Sequence, residues 1–343
     1  MAEKARASRC LQAAVLAAIA GFLLAAGEAH AARPAIKDVT AAGLLGPPGA
    51  VHDTLLARRP AAPGSASYAT PDGERVAVDV SAGYAETPAR VQELVDFLGT
   101  LVHSHELGRL SVSIRTSDEL HGICGFAADA CYSPALMRMI IPGEDLPHVS
   151  LEHLLAHEYG HHVLANQRNE PWDASSRGGK RWATHENVCA LTAAGEAFPG
   201  DEGDHYRLNP GEGFAEAFRV ANAARAATWP VSAWIVDPRF YPDAAATRLL
   251  EADVLDPLER PRTVRRTLRL GARGERHIRV STPWDGVLHV SAPHARIKIL
   301  DASRRPPSPW IRRGRHVICG TRSVVVAVRA ATAGRYAVRI TRP

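Results

Sequence analysis

The chain has 343 residues, too long for one small domain and long enough for a well-buried core, so two domains plus processing segments are expected. With 46% hydrophobic and 22% charged residues it belongs with globular rather than fibrous or disordered chains. The net charge of +5 hides a division: residues 32–258 hold 18 Lys and Arg against 30 Asp and Glu, whereas 259–343 hold 20 against 4, which marks a boundary near Pro257 to Pro261.

Lys4, Arg6 and Arg9 precede the uncharged apolar run Leu11 to Gly27, and Ala29-His30-Ala31 offers small residues for cleavage after Ala31. Residues 1–31 therefore read as a signal peptide for a secreted protein; the run is barely long enough for a membrane anchor. Residues 32–67, rich in Ala, Pro and Gly, read as a linker or propeptide. Removal of Cys10 with the signal leaves Cys124, Cys131, Cys189 and Cys319, an even count that suggests two disulfides in an exported chain. Cys124 and Cys131 bracket a short loop, which leaves Cys189 with Cys319.

Between these segments the pattern predicts strands at Arg75 to Val80, Leu110 to Ile114 and Leu136 to Ile141. Helices are predicted over Pro88 to His103, Ser150 to Asn166, Trp182 to Ala193, Pro210 to about Ala224, and Ala244 to Val254. After the boundary, short runs from Thr267 to Ile340 are punctuated by Gly and Pro, as in a small antiparallel β-sandwich.

The chemistry concentrates in Leu154-Leu155-Ala156-His157-Glu158-Tyr159-Gly160-His161-His162-Val163-Leu164. Histidines four apart on a helix share a face, so His157 and His161 can bring two nitrogens to one zinc at about 2.0 Å. Glu158 follows the first of them, placed to take a proton from water. Geometry also permits His153 with His157, but only His157 and His161 put a glutamate directly after the first member. His153 and His162 then read as surface or supporting residues. A third protein ligand is needed. The spacing of metzincins fails at Leu164 and Gln167, so a distal glutamate is sought, and Glu212 in Asn209-Pro210-Gly211-Glu212-Gly213-Phe214-Ala215-Glu216-Ala217-Phe218-Arg219 fits. Glu212 at the third helical position could instead merely cap that helix.

These two segments resemble the gluzincin metallopeptidases, and the second is especially similar to the corresponding helix of the anthrax lethal factor family. The resemblance implies His157, His161 and Glu212 as Zn2+ ligands, Glu158 as general base, and Glu216 as support behind a liganding imidazole. It implies Tyr206, or His205 beside it, as donor to the oxyanion, with packing as the alternative for Tyr206. It further implies that an extended peptide substrate pairs along the strand Leu136 to Ile141. Asp285-Gly286-Val287-Leu288 and Gly334-Arg335-Tyr336-Ala337-Val338 resemble the bacterial pre-peptidase C-terminal type of β-domain, which implies an accessory role.

The expectation is therefore an α+β chain: a zincin-like catalytic domain, 68–258, and a β-sandwich accessory domain, 259–343, in a secreted monomeric metalloendopeptidase. The competing expectation is a catalytically inactive scaffold that binds cell-surface polyanions through its basic part. An anionic surface ligand suits that part's charge, as does docking against the chain's own acidic half. Nucleic acid is excluded as a partner because no reader motif accompanies the charge.

Overall fold

Alternation in Arg75 to Val80 buries Val76 and Val78 on one face, and around this strand a five-stranded mixed sheet assembles in the computed structural model. The structure describes residues 65–85, 87–167, 172–226, 234–258, 260–301, 307–320 and 322–343; the segment read as a signal peptide and most of the linker lie outside them. The sheet order is β1 (Ala66–Ala69), β2 (Arg75–Val80), β3 (Ser111–Ile114), β5 (Arg138–Ile141), β4 (Cys131–Ser133). β2, β3 and β5 run parallel, with β1 and β4 antiparallel at the edges. β1 takes up Ala66 and Ser67 from the segment read as linker. A tight turn with Gly73 at φ 92 folds β1 back onto β2, and that pairing, rather than local composition, makes it a strand.

Parallel strands need a crossover, and α1 (Pro88–Thr100) supplies it between β2 and β3. Thr87 caps α1, which buries Val91, Leu94, Val95 and Leu98. The helix ends at Thr100, short of His103, because Leu101 turns to extended backbone and the Val102 amide donates to Asn222 Oδ1 at 2.8 Å. α2 (Ser117–Cys124) was not expected, although its capping box of Thr116 and Glu119 is written in the sequence.

The long helix α3 (Leu151–Ala165) starts at Ser150, whose hydroxyl accepts from the His153 amide, and is buried almost all round. The short helices α4 (Ala174–Arg177), α5 (Lys180–His185) and α6 (Val188–Ala194) follow. Asn187, left-handed at φ 57, divides the helix expected over 182–193 into α5 and α6. α7 (Pro210–Ala226) packs along α3 and presents Phe214 and Phe218 to the core, and α8 (Ala244–Leu255) packs on α5 and α7. No helix among the described residues is long and apolar enough to cross a membrane.

The C-terminal part is antiparallel throughout, in a four-stranded sheet and a three-stranded sheet. The first has the order β10 (Arg313–Ile318), β8 (Gly286–Ser291), β12 (Gly334–Arg342), β6 (Arg262–Leu270). The second has the order β7 (Glu275–Ser281), β11 (Ser323–Arg329), β9 (Arg296–Leu300). Leu288, Val290 and Ile340 of one sheet share a buried cluster with Ile299 and Val326 of the other. Val287, Val317 and Cys319, on the opposite face of the four-stranded sheet, instead join the helical core. There the Cys189–Cys319 disulfide crosses from α6, and the Asp285 amide donates to Thr184 Oγ1 at 3.0 Å. The second disulfide, Cys124–Cys131, ties the end of α2 to β4, so both pairings follow the expectation. The chain is of mixed α+β class.

Candidate functional site

α3 and α7 bring His157, His161 and Glu212 together. His157 Nε2 lies 3.2 Å from His161 Nε2 and 3.2 Å from Glu212 Oε2, and His161 Nε2 lies 3.2 Å from Glu212 Oε1. Four tetrahedral donors at about 2.0–2.1 Å from one centre stand about 3.3 Å apart, so this triangle has the size of a zinc site. Two imidazoles with one carboxylate are also a donor set that catalytic zinc sites use. The alternative of Glu212 as a helix cap does not describe its contacts. Asn209 does the capping, its Oδ1 accepting from the Gly211 amide at 3.0 Å, while the Glu212 carboxylate meets the imidazoles.

The close approach of the two helices depends on Gly160. A Cβ on Gly160 would stand 2.8 Å from Ala215 Cα, inside any tolerable contact, so only glycine lets the backbones meet here. Glycine inside a helix costs about 1 kcal/mol relative to alanine, and packing offsets that cost.

Behind the triangle, Glu216 Oε1 lies 3.1 Å from His157 Nδ1, and Arg219 clasps the Glu216 carboxylate at 2.7 and 3.3 Å. Glu216 and Arg219 are fully buried, a pairing that orients the imidazole so that Nε2 faces Glu212 and His161. His153 lies 3.5 Å from the same Glu216 oxygen and is buried, so it supports the site rather than lying at the surface.

His162 is also fully buried, which excludes the surface reading. Burial pushes it down to about 4, so it is neutral near pH 7. Its Nε2 lies 2.8 Å from the Glu106 carbonyl and its Nδ1 2.8 Å from the Tyr132 hydroxyl. The neutral ring therefore donates from Nε2 and accepts at Nδ1, linking α3 to strand β4.

Electrostatically the pocket favours a cation. Burial opposes protonation of His157, yet the hydrogen bonds its ring donates to Glu212 and Glu216 outweigh it and hold the imidazole well above its usual range. Burial likewise opposes ionisation of Glu212, but His161 and His157 hold its carboxyl well below the usual range. Glu158 is buried beside them and is held above its usual range by that burial, against the pull of His157 and His161.

Of the two candidate oxyanion donors, the structure brings one to the cluster. Burial, then the charge of Glu212 and a hydrogen bond to it, push the Tyr206 hydroxyl upward. His205 is engaged elsewhere: its Nδ1 lies 2.8 Å from Asp201 and its ring stacks on Phe198 at 3.8 Å. Glu202 was missed from the sequence. Asn209 Nδ2 donates to it at 2.8 Å, and burial of its carboxyl beside Glu212 pushes it up to about 7, although the residue as a whole is exposed. No periodicity in 198–206 could have placed it.

The edge strand differs from expectation. β5, which contains most of Leu136 to Ile141, is interior, paired on one side by β3 and on the other by β4. The sheet edge beside α3 is β4, because the Cys124–Cys131 loop folds three residues back over β5. A second cluster of metal-binding residue types, Cys189, Asp285 and Cys319, offers no thiolate because its sulfurs form the disulfide.

No protein-family model matches the chain, and no curated protein does. Among solved structures it is similar to the Yersinia pseudotuberculosis-derived mitogen at 12% identity, over 24% of this chain and 87% of that one, with a TM-score of 0.19. A likeness at that level carries no argument about fold or function.

Proposed function

We propose that this chain is an exported zinc-dependent peptidase with a zincin-like domain, 68–258, followed by an accessory β-sandwich, 259–343. The observation that carries the reading is the triangle of His157, His161 and Glu212 donors at mutual distances of 3.2 Å, with Glu158 buried next to it. Resemblance of both helices to gluzincins adds to it, and two disulfides suit export.

His157, His161 and Glu212 would hold the metal. When bound, Zn2+ supplies Lewis acidity that polarises a carbonyl and makes water acidic near neutral pH. Glu158 accepts the proton of the attacking water and passes it to the leaving amine, a role suited to a carboxyl whose proton affinity burial raises. The Tyr206 hydroxyl donates to the oxyanion, and its raised pKa keeps it a donor. Glu216 and Arg219 keep His157 oriented. An extended peptide adds as a strand along β4 rather than β5, because β4 has the free edge.

The test is metal stoichiometry on the mature protein together with hydrolysis of a quenched peptide library. Wild type is expected to hold one zinc per chain, Glu212→Ala to lose it, and Glu158→Gln to keep zinc while losing turnover. Undiminished turnover by Glu158→Gln, or a wild type that binds no zinc, overturns the reading.

A further inference from the structure

We propose that the uncovered part of the four-stranded sheet is a docking face for a linear acidic polysaccharide, separate from the peptidase site. Side chains directly opposite in an antiparallel pair share a face. The register therefore places Arg265 beside Arg339 and Arg269 beside Arg335 on β6 and β12. Ser291 carries the first row across to Arg313, and His289 stands beside Arg315. Neighbouring strands lie about 4.8 Å apart and four residues span about 13 Å, so these arginines form a grid on one face of the sheet. All six are exposed.

Like charges directly opposite one another destabilise a sheet, so the arrangement works against the fold. No acidic residue occurs in β6, β8, β10 or β12. Among the described residues, no side chain of the acidic half pairs with these arginines. The ion pairs of C-terminal arginines among the described residues, Arg322–Asp285 and Arg329–Glu275, lie within the C-terminal part itself. The same sheet face continues into Val287 and Val317, which are covered by the helical core, and the arginines occupy the part left uncovered. The face is thus part of a sheet tied to the helical half by the Cys189–Cys319 disulfide, yet open to a partner.

The chemistry of the spacers selects the partner. Between the arginines stand Thr263, Thr267, Ser291, Ala337 and Thr341, small and mostly hydroxylated. They provide hydrogen-bonding groups for a sugar and no apolar wedge for a bilayer, and these strands put one ring on the face, His289, where a nucleic-acid strand needs a series on which successive bases stack. Guanidinium groups suit the carboxylate or sulfate groups of an acidic glycan through paired hydrogen bonds.

The test measures binding of the full chain to size-defined dextran sulfate over a range of salt concentrations, with phosphatidylglycerol vesicles and duplex DNA at equal charge as alternatives. Arg265→Gln with Arg339→Gln is expected to weaken dextran sulfate binding at least about 10-fold and flatten its salt dependence. Arg276→Gln with Arg279→Gln, which removes the same charge from exposed positions on β7, is expected to change it less than about threefold. The first pair should leave the melting temperature unchanged or raised, since it removes repulsion. Equal weakening by the two pairs, tighter binding to vesicles or DNA than to the polysaccharide, or binding lost together with stability, overturns the proposal.

Discussion

Gly160 and Ala215 meet so closely that a methyl group on the glycine would lie 2.8 Å from the alanine Cα. This contact sets the separation of α3 and α7, and so the distance between imidazoles on one helix and carboxylates on the other. Gly160→Ala is expected to force the helices apart, at a cost of about 1–3 kcal/mol despite alanine's better helix propensity. Denaturant unfolding and zinc titration check it. A variant with greater stability and unaltered zinc affinity would show that the contact does not control the site.

Glu216 touches His157 and is held by Arg219. Glu216→Ala should lower zinc affinity about 10–100-fold while leaving His157, His161 and Glu212 in place. It also leaves Arg219 buried without its carboxylate, so a loss of about 3–5 kcal/mol in stability is expected. Glu216→Asp, with the charge kept, should recover part of both, as competition with a chelator and thermal unfolding can measure.

Tyr206 and His205 are neighbours in sequence with separate partners. Tyr206→Phe should retain zinc and lower kcat about 10²-fold with little change in KM. His205→Ala should leave both constants near wild type, because its ring serves Asp201 and Phe198. A kinetic comparison of the two variants decides between them, and equal effects would refute the assignment.

Glu186 offers a pH test that does not involve His157, His161 or Glu212. Burial, with Asp243 adding to it, pushes its carboxyl up to about 8 from an ordinary value of 4.5. The folded state therefore keeps a proton that the unfolded chain gives up, so this residue's contribution to stability falls as pH rises from about 4.5 through about 8. Glu186→Gln should flatten that decline and gain most over wild type at the alkaline end. The difference between Glu186→Gln and wild type, followed by urea unfolding between pH 5 and 7.5, cancels the other groups that titrate there, Glu202 and His162 among them, and stays below the range in which Lys180, pushed down to about 8 by burial, loses its proton. A gain independent of pH would contradict the mechanism.

Features carried by short-range spacing are legible along the chain. His157, Glu158 and His161 follow from one turn of helix, and the strand runs from alternation. Both disulfides followed from the cysteine count and the short loop between Cys124 and Cys131. Even the missed helix α2 had its capping box in plain view at Thr116 and Glu119.

Other features depend on how distant segments pack. Glu212 is 51 positions from His161, and its carboxylate meets the imidazoles only because Gly160 lets two helices touch. Glu202 and Tyr206 come from an irregular segment whose path is set by Asn209 and the start of α7 rather than by any repeat. Between the surface and supporting readings that the sequence leaves open for His153 and His162, burial decides, because α3 is covered on nearly every side. Likewise β4, not β5, is the sheet edge, and the arginines align into rows only when β6 and β12 pair. Local periodicity cannot specify strand order or register, since those are fixed by side chains meeting across long chain separations.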